Sequence, residues 1–189
     1  MKVGILALQG AFIEHEKMLQ DLGAEVVEIR QLKDLEGIDG LILPGGESSV
    51  QGKLLRELGL LTPIQQLINE GLPVLATCAG LILLAKTIEG EESAHIGSLP
   101  VVVKRNAYGR QLASFTSDID IKPIGSYPAV FIRAPYIESV SDDVDILSVV
   151  NNHIVAVQYH NQLGLSFHPE LTHDTRIHEY FLSLIKRNA

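Results

Sequence analysis

Three short stretches carry residue types that can do chemistry together. The segment LATCAGLILLAK (75–86) holds Cys78, the one cysteine among 189 residues. FHPE (167–170) sets His168 two positions before Glu170, and PGGES (44–48) follows an apolar run with paired glycines. A cysteine between a strand-like and a helix-like run stands where a nucleophile elbow stands. Such a turn lifts the thiol clear of a sheet, and the first N–H groups of the helix face whatever it attacks. The positive end of the helix dipole also favours a thiolate. Ala76, Ala79 and Gly80 are small enough for a tight turn. A buried cysteine acting as a small hydrophobe fits the same segment, and the stretch alone does not choose between them.

His168 ends the last β-like run, and parallel-sheet folds place their sites at the carboxyl ends of strands. In an extended segment residues two apart project to the same side. Glu170 can then orient an imidazole that deprotonates a thiol. Cysteine, histidine and carboxylate together favour nucleophilic catalysis on an acyl group. His168, Glu170, His173 and His178 are also zinc-ligand types, but nothing in their arrangement specifies a site, and no metal is expected. His15, His95, His153 and His160 read as surface or hydrogen-bonded core residues. The backbone of Gly45–Gly46 can face a developing oxyanion, although taken alone this segment reads better as an ordinary turn opening a helix at Glu47–Ser48.

The elements that must position these residues follow from periodicity. Apolar runs at 2–8, 25–29 (EVVEI), 40–43 (GLIL) and 73–76 (PVLA) read as strands. Helices are expected at 11–22 with Gly23 as the stop, over one or two segments of 47–71 with Thr62-Pro63 as cap and first-turn proline, and at 79–88. Alternating strands and helices imply a parallel sheet covered on both faces. From 97 to 167 the runs LPVVVK, QLASF, AVFIRA, VDILSVV, HIVAVQY and LGLSF suggest added antiparallel strands and hairpins. A final helix is expected at 172–186, with Ile177, Tyr180, Phe181, Leu184 and Ile185 on one face. The expected fold is α/β: one three-layer domain over 1–189, with a central, mostly parallel sheet between helices.

Composition bounds the function. Hydrophobic residues make up 46% and charged residues 20%, the profile of a folded globular chain. Fifteen basic against 23 acidic side chains give a net charge of −8, which argues against nucleic acid or an anionic membrane as main partner. One cysteine forms no intramolecular disulfide. The first residues turn polar at Gln9 before a signal-peptide core builds up, and no apolar run reaches spanning length, so a cytoplasmic location is expected. The segment 46–53 imitates a phosphate-binding loop, but its glycines are one residue too far apart and Leu54 stands where a hydroxyl is needed. No G-x-G-x-x-G follows the first strand, so no nucleotide site is expected.

Taken together, LALQG (6–10), LILPGGES (41–48), ATCAGLILLAK (76–86), RNAYGRQ (105–111), FIRAP (131–135) and SFHPELT (166–172) resemble the class I (triad) glutamine amidotransferases. More narrowly, they resemble the glutaminase subunits of two-component pyridoxal 5′-phosphate synthases. The triad pieces point to the superfamily; RNAYGRQ, FIRAP and the early LQG point to the narrower group. Ala76 stands where many triad amidotransferases have glycine, and Ser49 where threonine is commoner. The resemblance implies Cys78 as nucleophile on the amide of L-glutamine, His168 as base and then acid, and Glu170 as the group orienting His168. It implies an oxyanion hole from the N–H groups of Gly46 and Ala79. Glutamine would be held around Gly46, Glu47, Ser48, Arg105, Ile132 and Arg133, and a guanidinium suits the substrate carboxylate. Without the resemblance Arg105 and Arg133 read as surface salt-bridge residues. The implied partner is a (β/α)₈-barrel synthase subunit in a double-ring core decorated by glutaminases, contacted near Gln9–Gly10 and the loops beside Cys78. Pyridoxal phosphate would be the complex's product, and no cofactor is expected for this chain. The alternatives are a glutaminase for another acceptor such as imidazole glycerol phosphate synthase, a redox-sensing relative using Cys78, and a peptidase.

Overall fold

The computed structural model describes residues 1–105 and 114–189. Most of RNAYGRQ and the first part of QLASF fall outside the described residues. The chain opens with β1 (Lys2–Leu6), α1 (Phe12–Asp21), β2 (Glu25–Ile29) and β3 (Gly40–Leu43). Then follow α2 (Ser48–Glu57), α3 (Leu61–Asn69), β4 (Val74–Thr77) and α4 (Ala79–Leu84). These strands pair in parallel in the order β2-β1-β3-β4. The near-continuous burial of β1, β3 and β4 matches apolar runs that do not alternate, as expected for strands covered on both faces, while the edge strand β2 is mostly half-exposed.

The second half is β5 (Ala85–Ile88), β6 (Leu99–Lys104), β7 (Ser114–Ile121), β8 (Gly125–Ile132), β9 (Tyr136–Val140), β10 (Asp145–Val150), β11 (His153–Tyr159) and β12 (Gln162–Leu165), closed by α5 (Arg176–Asn188). The sheet continues past β4 as β12-β11-β9-β6-β5, with β10 also on β11, while β7 and β8 form a separate antiparallel hairpin. β12 joins the two halves, lying parallel to β4 and antiparallel to β11.

Two cores cover the sheet. Leu43, Val74 and Ala76 face Leu55, Ile64, Leu81 and Leu84 of α2–α4 on one side. Ile5, Ile42 and Leu75 face Leu19 of α1, Phe181 and Ile185 of α5, and Tyr127 and Phe131 of β8 on the other.

Three boundaries near the site differ from the sequence reading. The helix after Cys78 ends at Leu84 rather than 88, because Ala85 turns extended and 85–88 pairs with β6. The run 79–84 is apolar all round, so periodicity cannot end it, while β-branched Thr87 and Ile88 favour a strand. α3 starts one residue before Thr62, with Leu60 at the cap position and no side-chain cap bond; Pro63 does sit in the first turn. The last helix begins at Arg176 rather than 172, because a 3-10 turn, Pro169–Leu171, comes first. Glu170 therefore reaches His168 from a tight turn and not from an extended strand. Proline at the first turn position, with φ already near the helical value, explains why the chain coils there.

Candidate active site

The register of the central strands assembles the site. Thr77, the last residue of β4, lies opposite Leu165, the last residue of β12, so Cys78 and His168 leave the same sheet end on neighbouring strands. Backbone bonds pin both: Cys78 N–H donates to Leu165 O at 2.8 Å and His168 N–H to Val130 O at 2.8 Å. Cys78 turns from β4 into α4 with φ 49 and ψ −104, a conformation rare for a residue with a side chain. α4 comes very close to β3, since a Cβ at Gly80 would collide with the Leu43 carbonyl. With only six residues the helix carries little dipole, so its end contributes less to anion binding at Cys78 than the sequence suggested.

Cys78 is 8% exposed, and its thiol lies 3.8 Å from the Ile132 carbonyl. It also hydrogen-bonds His168, whose Nδ1 meets Glu170 Oε1 at 2.6 Å. His168 and Glu170 are 7% and 5% exposed. Burial alone would lower the imidazole pKa, but the hydrogen bonds and charges of Cys78 and Glu170 outweigh it and push His168 up to about 10. A buried imidazole held between a thiol and a carboxylate can carry a proton to and from sulfur, which is what acyl transfer through a thioester requires.

The glycine loop lies against this row. A Cβ at Gly45 would strike the His168 ring and sit 3.5 Å from Cys78 Cβ. Gly45 O accepts from Ala11 N–H, and Gln51 Nε2 donates to Gln9 O at 3.0 Å and to Pro44 O at 3.2 Å. The Glu47 N–H donates to Gln9 Oε1 at 2.7 Å. Gly46 and Glu47 are exposed, and Ser48 is buried as the first residue of α2.

Ala79, the first residue of α4, directly follows Cys78 and is buried. Ile132 reaches Cys78 through its carbonyl. Arg133, beside it at φ 44, is exposed and in no ion pair among the described residues. Arg105 pairs with Glu91 at 2.8 Å, the salt-bridge alternative of the sequence reading, yet its Nε is buried without a partner. Among the described residues no group of three or more His, Cys, Asp or Glu is placed to hold a metal ion. His168 and Glu170 bind each other, and exposed His173 stands apart from buried His178.

Four residues were missed as neighbours of the site: Gln9 and Gln51, which brace the loop, and His15 and His178, which lie behind Glu170. His15 Nε2 is 3.4 Å from Glu170 Oε2 and 3.4 Å from Thr77 Oγ1, and its Nδ1 is 2.8 Å from His178 Nε2. Both histidines are fully buried. Burial, with the adjoining His178 and His168, holds His15 well below the usual imidazole range, and burial pushes His178 down to about 4. A histidine on the apolar stripe of each helix, between Phe12 and Met18 and between Ile177 and Phe181, was the available signal.

No helix among the described residues is long and apolar enough to cross a membrane. Residues 5–187 match the model of the SNO glutamine amidotransferase family. The pyridoxal 5′-phosphate synthase subunit PdxT of Desulfitobacterium hafniense is 60% identical over 186 residues, covering 98% of this chain and 94% of that one. The PdxT of Streptococcus pneumoniae serotype 2 is 54% identical, with both chains covered end to end. A crystal structure of a glutamine amidotransferase superposes with a TM-score of 0.94 at 46% identity, covering 97% of this chain and 98% of the other. The chain belongs to the SNO glutamine amidotransferase family.

Proposed function

We propose that this chain, as one glutaminase domain over 1–189, hydrolyses L-glutamine to L-glutamate and ammonia for a pyridoxal 5′-phosphate synthase. The observation that carries the reading is the buried row Cys78–His168–Glu170 at the carboxyl ends of β4 and β12, in a chain of an amidotransferase family. The Cys78 sulfur attacks the side-chain amide carbon while His168, whose raised pKa keeps it protonated near neutral pH, holds the proton needed at the leaving nitrogen. N–H groups of Gly46 and Ala79 receive the oxyanion. His168 then protonates the departing nitrogen, the C–N bond breaks, and ammonia leaves a γ-glutamyl thioester. Water attacks that thioester as His168 takes its proton, and the C–S bond breaks to release glutamate and restore the thiol. Glu170 keeps the imidazole aligned throughout. Gly46, Glu47, Ser48 and Ile132 line the amino-acid end of glutamine, where the guanidinium groups of Arg105 and Arg133 meet its carboxylate; Arg105 leaves Glu91 or bridges both.

The relatives named as PdxT are subunits of that synthase, which supports ammonia delivery to a (β/α)₈-barrel synthase subunit bound near Gln9–Gly10 and the Cys78 loops. The test is glutamate release from glutamine by this chain, alone and with such a synthase subunit. Release that rises with the partner and disappears in Cys78→Ala and His168→Asn, with the complex still forming, is the expected result. Release that persists in Cys78→Ala would falsify the nucleophile assignment. Absence of release by the folded wild-type complex would return Cys78 to the redox-sensor alternative.

A further inference from the structure

Glu170 uses one carboxylate oxygen on His168. The other, Oε2, is buried, makes no good hydrogen bond, and has His15 Nε2 as its approaching partner at 3.4 Å. An unpartnered buried carboxylate oxygen is costly, and the group facing it is a second buried imidazole.

The network assigns the tautomer of that imidazole. If His15 Nε2 were bare, its lone pair would face a carboxylate and the Thr77 hydroxyl would be its one donor. Nδ1–H would then donate to His178 Nε2, and an N–H on His178 Nδ1 would be buried with no acceptor. With the proton on Nε2, His15 donates toward Glu170 Oε2, and His178 Nε2–H donates to His15 Nδ1 at 2.8 Å. Only His178 Nδ1, a lone pair, stays unsatisfied. That arrangement pairs every buried N–H and needs both rings neutral. Their full burial keeps them so.

We propose that His15 is a positioning residue for Glu170: it donates Nε2–H to Oε2, His178 locks its tautomer, and Oε1 is thereby kept on His168 Nδ1. The proposal rests on the triad reading above and deepens it. α1 packs against the 3-10 turn that carries Glu170, so His15 reaches the carboxylate from outside the two strands that present Cys78 and His168. The titratable groups facing Glu170 are His168, His15 from α1, and Tyr127 from β8, whose phenol burial raises to about 12 and so leaves neutral. Those facing His168 are Cys78, Glu170 and, at longer range, His15. His178 from α5 faces His15 alone.

The consequence falls on the turnover number and on its alkaline limb. Removing the donor frees Glu170 to rotate off His168, so the imidazolium needed to protonate departing nitrogen is lost at lower pH. The experiment measures glutamine hydrolysis against pH for the full chain with its synthase partner. His15→Leu should lower kcat about tenfold, leave KM for glutamine unchanged, and move the alkaline limb of kcat toward neutral pH. His15→Gln, which keeps an amide donor near the Nε2 position, should restore both kcat and the limb. If His15→Leu does not fold, His178→Leu should shift the same limb while His178→Gln does not. Unchanged kcat and limb in His15→Leu overturn the proposal, as does an equal loss in His15→Leu and His15→Gln. Hydrolysis surviving Cys78→Ala overturns the triad reading itself, a separate and recognisable failure.

Discussion

Cys78 pays for its place with its backbone. At φ 49 and ψ −104 a side chain crowds its own carbonyl, and strain of this kind costs about 1–3 kcal/mol. Cys78→Ala keeps that strain and loses the thiol. Cys78→Gly relieves it and adds back about 0.4–1 kcal/mol of unfolded-state entropy. Both variants should be inactive, yet urea denaturation should find Cys78→Gly the more stable by about 1 kcal/mol. Equal midpoints would mean that the elbow is relaxed in solution. At this scale the sequence was informative because the chemistry needs particular residue types: one cysteine between a strand and a helix, and a histidine two before a carboxylate. What it could not reveal was the way these residues meet. Glu170 reaches His168 from a proline-started turn. His15 read as a surface or core residue and His178 only as a zinc-ligand type, because their chemistry arises from contact between residues 163 positions apart on two helices.

Elements bring these residues into register, and α4 comes very close to β3. Gly80 lies so near the Leu43 carbonyl that a methyl group has no room, and the obstacle is backbone rather than a side chain able to swing away. Gly80→Ala should therefore push α4 off the sheet and destabilise the protein by about 2–3 kcal/mol. Because α4 starts at the nucleophile, the same variant should raise the alkylation rate of Cys78, which is nearly covered in the native protein. A wild-type urea midpoint and alkylation rate would contradict this packing. The strands that were legible, such as β2, β3, β6 and β11, are apolar runs bounded by glycine, proline or charge. β5 hid behind an apolar helix, and β7 (SFTSDIDI) buries few of its residues and shows little apolar signal. The pairing of β12 with β4 is non-local, so no window of sequence contained it, although the resemblance to triad amidotransferases anticipated the fold that results.

Across the whole molecule, three buried histidines with opposite shifts make stability depend on pH in a testable way. His178 and His15 are held below their unfolded value of about 6.5. As pH falls below about 6.5 the unfolded chain takes up their protons before the native state does. Stability is thus full above that pH and falls toward pH 4, by about 1.4 kcal/mol per unit for His178, with His15 acting in the same direction. His168 is raised to about 10, so here the native state holds the extra proton. Its contribution is complete below about 6.5 and declines as pH rises, until it is gone above pH 10. The two slopes meet near neutrality, and the melting temperature should peak at about pH 6.5. His178→Gln should flatten the acid side of that peak and leave the alkaline side alone; His168→Asn should do the reverse. Thermal unfolding of the three proteins from pH 4 to pH 10 reads both slopes at once. An acid limb unchanged in His178→Gln would show that the carboxylates of this acidic chain, and not its buried imidazoles, govern acid lability.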